Sequence, residues 1–124
     1  MAGTPSERMR VTGAWGVERA ERYLRETVVP VRVATHAPGG LWMLSLWYCY
    51  RDGAIRCATR ASADVVDYIE ADDRVAFEVS ENDPPYVGVR GAGRATVEVD
   101  PEKELLRELL ERYLGGTDGP LATD

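Results

Sequence analysis

The stretch CATRASADVVDYIEADDRVAFEV, residues 57–79, carries the most information about the fold. It begins as the end of a strand, turns, and continues as an amphipathic helix from about Ala63 to Glu70 with Val65, Val66 and Ile69 on one face. It then leaves as a second strand, RVAFEV. The junction has the outline of an anion cradle, because Ser62 stands where it could cap the helix, Arg60 precedes it, and the first-turn N–H groups have no partner within the helix. The helix itself is acidic, with Asp64, Asp67 and Glu70 followed by Asp72 and Asp73. Asp64 in the first turn complements the helix dipole by itself and repels a second negative charge.

Upstream of this stretch, GVERAERYLRET places Val17, Ala20, Tyr23 and Leu24 on one side at helical spacing, and VRVATH from Val31 reads as a strand. PGG at residues 38–40 is a turn, and the aromatic run LWMLSLWYCY reads as one buried strand. Asp52 and Gly53 make a D-G hairpin turn into a third strand, AIRCAT. Downstream, SENDPP interrupts the pattern, and YVGVRGAGRATVEV alternates along its whole length with Val87, Val89, Gly91, Gly93, Ala95, Val97 and Val99 on the apolar side. Two glycines on that side predict a sharp bend, as at a barrel corner. Asp100 and Pro101 read as the N-cap and first residue of a leucine-rich helix, EKELLRELLERYL, with Arg107–Glu111 and Glu108–Arg112 as i,i+4 pairs and Gly115 and Gly116 as its stop. The leucines suit core or dimer packing. Three strands joined by tight turns must be antiparallel, and a small bent sheet of five to six strands closes most economically into a barrel with helices outside.

At 124 residues the chain is long enough for one domain with a real core and too short for two. There are 21 acidic residues against 15 basic ones, and Lys103 is the sole lysine. A net charge of -6 repels polyanions, so nucleic acid is a poor partner. Two readings of this composition stand side by side, adaptation to high salt or a codon bias favouring arginine. No apolar run reaches the ~20 residues of a membrane span, and MAGTPSERMR has no signal-peptide core, which predicts a soluble cytoplasmic protein. Cys49 and Cys57 flank the RDG turn and could be cross-strand neighbours, with two buried free thiols as the default in a reducing compartment. A single histidine, His36, and no CxxC leave the usual zinc arrangements absent.

VRVATH, PGGLWMLSLWYCYRDGAIRCAT, DDRVAFEV and PPYVGVRGAGRATV together resemble the pyridoxamine 5'-phosphate oxidase-like FMN-binding split β-barrel family. The likeness covers roughly residues 15 to 115. It implies a mainly β protein with flanking helices, with a split-barrel domain over 16–116 and a tail over 117–124, while residues 1–15, which mix Gly, Pro, Ser and charges without a period, read as a loose N-terminal arm. It also implies a homodimer holding FMN, or a deazaflavin, at the subunit interface. The cofactor would lie along Arg32, Val33, Ala34 and Thr35, then Ser45, Leu46 and Trp47, then Ala58, Thr59, Arg60 and Ser62. An isoalloxazine ring needs flat apolar walls and hydrogen bonds at its polar edge, and its phosphate needs arginine and hydroxyl donors.

Where many relatives carry Ser-Arg-Lys at the start of the helix, this chain has Ala63, Asp64 and Val65. The phosphate would then fall to Arg32, Thr59, Arg60 and Ser62, and FMN affinity is expected to be weaker than in a clamp-bearing relative. Relatives also continue past a motif like RYLGG into a further helix and strand, whereas this sequence closes with GPLATD. The expected activity is that of a flavin-dependent or deazaflavin-dependent oxidoreductase of unspecified substrate. The alternatives are a flavin or ligand carrier or sensor without turnover, and a dimeric barrel that has lost its cofactor.

Each residue also has a plainer reading. Arg32 in an apolar strand equally suits a salt bridge to a carboxylate. Trp42, Trp47, Tyr48 and Tyr50 suit a core or dimer interface as well as a ring-binding wall. His36 before its turn suits a solvated or hydrogen-bonded histidine, and Arg90 and Arg94 suit ion pairs with the many carboxylates.

Overall fold

The computed structural model describes residues 13–115. Its elements run α1 (Val17–Glu26), β1 (Val31–Ala37), β2 (Gly40–Leu46), β3 (Tyr48–Arg51), β4 (Ala54–Cys57), α2 (Asp64–Ala71), β5 (Arg74–Ser80), β6 (Gly88–Arg94) and α3 (Glu104–Leu114). The expected N-terminal arm lies outside the described residues up to position 12, as do Gly116 and the tail.

Alternation builds the main sheet. In β1, Val31, Val33 and Thr35 are buried while Arg32, Ala34 and His36 face the other way. Antiparallel pairing on both sides of β1 gives the order β2-β1-β5-β6, and β3 and β4 form a separate antiparallel hairpin. The sheet is not closed, and β2 and β6 remain its edges.

The single strand expected from Leu41 to Tyr50 is broken at Trp47. Leu46 ends the pairing with β1 opposite Val31, and Tyr48 begins the pairing with β4 opposite Cys57. The Tyr48 N–H instead donates to the Tyr113 hydroxyl at 3.2 Å, while Trp47 stacks on the Tyr113 ring at 5.0 Å between centroids. The chain thus changes sheets where Tyr48 and Tyr50 enter the core, 0% and 7% exposed. The D-G turn forms as expected, with Asp52 and Gly53 both at positive φ.

The strand expected over residues 86–99 contracts to β6. Its last ladder pair is Arg94 with Arg74, beyond which β5 offers no partner, and the Ala95 N–H goes to the Asp73 carbonyl at 2.8 Å. Val97 and Val99 continue the sequence alternation without a core to face, at 41% and 88% exposed. Gly91 makes room for a ring, since a Cβ there would stand 3.1 Å from Phe77.

The principal core joins Leu24 of α1 to Val31, Val33, Tyr48, Tyr50 and Val79. A second cluster seats Val65, Val66 and Ile69 of α2 against Ala95, Leu44 and Val75. Both lie on one side of the main sheet, which leaves its other face uncovered by any described element.

Helix ends depart from the sequence reading in two places. The N-cap of α3 is Lys103, at positive φ, rather than Asp100, and Pro101 lies in the turn before the helix; the Asp100 carboxylate still accepts from the Glu104 and Leu105 N–H groups at 3.2 and 3.0 Å. Arg112 does not pair with Glu108, which instead meets Arg51 at 3.0 Å. Its guanidinium donates to the carbonyls of Leu24, Arg25 and Thr27 and so terminates α1, while lying 4.9 Å over the Tyr48 ring. The cysteines also depart from the expected neighbour relation. Cys49 sits opposite Arg56 and Cys57 opposite Tyr48, so the two thiols point to opposite faces of the hairpin, both buried and neither in a disulfide.

Candidate functional site

The uncovered face of the main sheet is organised in rows by its register. One row runs Ser45, Arg32, Glu78, Arg90 across β2, β1, β5 and β6, and the next runs Met43, Ala34, Ala76, Ala92. Because residues two apart share a face, the short side chains of Ala34, Ala76 and Ala92 leave a trough beside the long ones of Arg32, Glu78 and Arg90. The result is a groove of about 360 Å³ lined by Arg32, Ala34, Met43, Ala76, Glu78 and Arg90 and completed by Phe77 and Gly91. This is at the low end of small-molecule sites, with room for a flat ring system rather than a dinucleotide.

Arg32 donates through Nη2 to Asn82 Oδ1 at 2.7 Å and approaches Glu78 Oε1 through Nη1 at 3.8 Å. Both side chains of that ion pair are about two-fifths exposed, 39% and 44%, so it is worth only ~0–1 kcal/mol and does not withhold the guanidinium from a ligand. Arg90 has no ion-pair partner among the described residues. The remaining arginines of this face are engaged. Arg74 pairs with Asp72 at 2.7 Å and Arg94 with Asp73 at 2.6 Å. The Arg74 hydrogen bonds hold the Asp72 carboxyl well below the usual carboxylate range.

Of the residues singled out in the sequence, Arg32 and Ala34 line the groove, and Ser45 stands next to Arg32 on β2. Val33 and Thr35 point the opposite way, 3% and 1% exposed, and Leu46 packs on the same core. The Thr35 hydroxyl is buried there without a hydrogen-bond partner among the described residues. Trp47 is held on Tyr113 at the strand break. Ala58, Thr59, Arg60 and Ser62 lie on the connection from β4 to α2, the last three exposed, and none lines the groove.

The anion cradle read at that connection is not built as expected. The N-cap is Ala63, with no side-chain cap, and the turn closes by the Ala63 N–H donating to the Arg60 carbonyl at 3.0 Å. The aromatic wall is packing in this structure. Trp42 meets Tyr68 of α2 edge-on at 5.4 Å, while the Tyr48 and Tyr50 hydroxyls donate to the Leu24 carbonyl and to Glu21. His36 is exposed on the outer face. Among the described residues no His, Cys, Asp and Glu group could hold a metal.

Glu78, Ala76 and Met43 were not foreseen as groove residues. The signal for the first two lies in RVAFEVS, where Val75, Phe77 and Val79 alternate with Ala76 and Glu78 and leave a carboxylate on the outer face.

No family model matches the sequence, and no curated protein matches it. Among solved structures, the chain resembles the crystal structure of conserved hypothetical protein Rv2991 from Mycobacterium tuberculosis, with a TM-score of 0.74 and 24% sequence identity over 88% of this chain and 71% of that one. The likeness places the chain in a fold already seen experimentally: mainly β, with antiparallel sheets and flanking helices.

Proposed function

We propose that the outer-face groove binds the flat ring of a flavin, FMN or a 5-deazaflavin, in a homodimeric split-barrel oxidoreductase acting on a small molecule. The observation that carries this reading is the groove itself, an apolar floor of Ala34 and Ala76 one row away from the guanidinium groups of Arg32 and Arg90. A planar heterocycle needs such a floor for its face and donors for its carbonyl edge. When bound, the ring would supply hydride chemistry. The chain would orient it, shield one face from water, and set two positive charges at its rim.

The groove volume suits the ring without the ribityl phosphate, and Thr59, Arg60 and Ser62 lie outside its lining. FMN and riboflavin are therefore expected to bind with similar affinity.

The dimer part of the reading rests on β2. Gly40–Leu46 contains no charge, forms an edge, and exposes Leu41 and Met43 at 74% and 63%. An edge of this kind is normally blunted or covered, and a second copy would cover it while closing the groove. Buried cysteines outside any disulfide fit a cytoplasmic setting. Among the described residues no helix is long and apolar enough to cross a membrane.

The test is a titration of the protein with riboflavin, FMN and 5-deazariboflavin, followed by ring fluorescence, beside an Ala76→Leu variant that fills the floor. Saturable micromolar binding that Ala76→Leu abolishes supports the reading, and no saturable binding of any of the three defeats it. Among the described residues Glu78 is the one proton-accepting side chain in the lining, with no acid–base pair beside it, which favours a second reading, binding without turnover. It expects photoreduced ring to reoxidise no faster when candidate acceptors are added.

A further inference from the structure

We infer that the row Arg32, Glu78, Arg90 is a recognition array for a cyclic imide, the O=C–NH–C=O edge that flavins and deazaflavins share; the inference rests on the ring-binding reading above. Register sets the three side chains on adjacent strands in the order β1, β5, β6, with Arg32 opposite Glu78 and Glu78 opposite Arg90. All three line the groove.

Arginine can only donate hydrogen bonds and a carboxylate can only accept them. The row therefore presents donor, acceptor, donor along one wall. Neighbouring strands are about 4.8 Å apart, and long side chains can lean together across that spacing to meet one molecular edge. The 3.8 Å approach of Arg32 Nη1 to Glu78 Oε1 shows the first two already converging. Asn82, accepting from the other terminal nitrogen at 2.7 Å, fixes the guanidinium in that direction.

The complementary ligand edge reads acceptor, donor, acceptor. A cyclic imide has that order, with its N–H between two carbonyls. The pairing edges of adenine, cytosine and guanine do not, since each sets a donor against an arginine or an acceptor against Glu78. The floor of Ala34 and Ala76 in the next row is where the body of such a ring would lie. Glu78 also explains why this wall would not serve as a phosphate clamp, because its carboxylate stands between the two guanidinium groups and would face any dianion they attracted.

The experiment compares riboflavin with N3-methylriboflavin, which keeps the ring and both carbonyls and loses the central N–H, on the wild-type protein by equilibrium binding. The array expects the methyl compound to bind at least about tenfold more weakly, as for loss of a hydrogen bond to a charged group. In Glu78→Ala, checked for an unchanged melting temperature, that preference falls below about twofold, because the partner of the N–H is gone. 5-Deazariboflavin, with the same imide edge, binds as riboflavin does. Equal binding of riboflavin and its N3-methyl analogue overturns the array while leaving ring binding in place. Binding of none of these rings overturns both, so the two failures are distinguishable.

Discussion

Arg112→Met tests whether one side chain ties α3 to the end of α1. Methionine keeps the unbranched stem and removes the donors, so the change isolates the guanidinium from its packing. In the native protein that group donates to Leu24 O at 2.9 Å, to Arg25 O at 2.5 Å and to Thr27 O, and it lies 4.9 Å over the Tyr48 ring. A hydrogen bond from a charged donor contributes about 1.5–3 kcal/mol and a cation–π contact about 0.5–1 kcal/mol. The sum overstates the loss. Leu24 O retains the Tyr48 hydroxyl at 2.7 Å, the Arg25 carbonyl is open to water, and the buried Arg112 Nε already lacks a partner among the described residues. A net destabilisation of about 2–4 kcal/mol remains. With a urea slope of ~1.5 kcal/mol per molar, the unfolding midpoint should fall by roughly 1.3–2.7 M at unchanged slope. A fall below about 0.3 M would refute the claim that this guanidinium terminates α1.

Three further outcomes follow from the core. Burial pushes the thiols of Cys49 and Cys57 up to about 12, with Glu108 adding to the rise at Cys49, so Ellman's reagent at pH 8 should label neither in the folded protein and both in denaturant; rapid native labelling would contradict their burial. Burial likewise raises the Tyr23 hydroxyl, hydrogen-bonded to Glu81, to about 12. All three groups hold their protons more tightly folded than unfolded, so the stability they contribute is complete below the ordinary thiol and phenol values of 9.0 and 10.0 and is lost as pH rises towards about 12. Urea midpoints should be flat from pH 7 to about 8.5 and decline above it, and a midpoint that rises there would reverse the assignment. Gly88→Ala would set a Cβ 2.4 Å from both Ser80 Cβ and the Val79 carbonyl. The strands must shift, at a cost of about 1–3 kcal/mol by thermal or urea unfolding, and an unaffected midpoint would show that β5 and β6 part without cost.

The legible parts of the fold were those with a clear period. Val65, Val66 and Ile69 mark the buried face of α2, as Ala20 and Leu24 mark that of α1, because one side of each helix alone meets the core. LWMLSLWYCY concealed its break because it is apolar on both faces, so no alternation registers the change of sheet at Trp47. Val97 and Val99 misled for the converse reason, since alternation persists where β5 has ended. Arg112 could not be read locally, as its partner Leu24 lies 88 residues away. Of the residues expected along a cofactor, Arg32 and Ala34 line the groove, whereas Ala76 and Glu78 were not foreseen there, because the sequence does not show that β5 pairs beside β1. The β4–α2 connection was expected to join Arg32 and Ala34, but it emerges elsewhere because β4 belongs to the other sheet.

The most direct test of the groove as a ring-binding site is equilibrium binding of riboflavin to the wild-type protein and to Ala76→Leu, with FMN titrated in parallel. The account expects saturable binding to the wild type, FMN within about threefold of riboflavin because no phosphate clamp lines the groove, and loss of both in Ala76→Leu. Riboflavin binding that survives Ala76→Leu, or no binding by the wild-type protein, would contradict it.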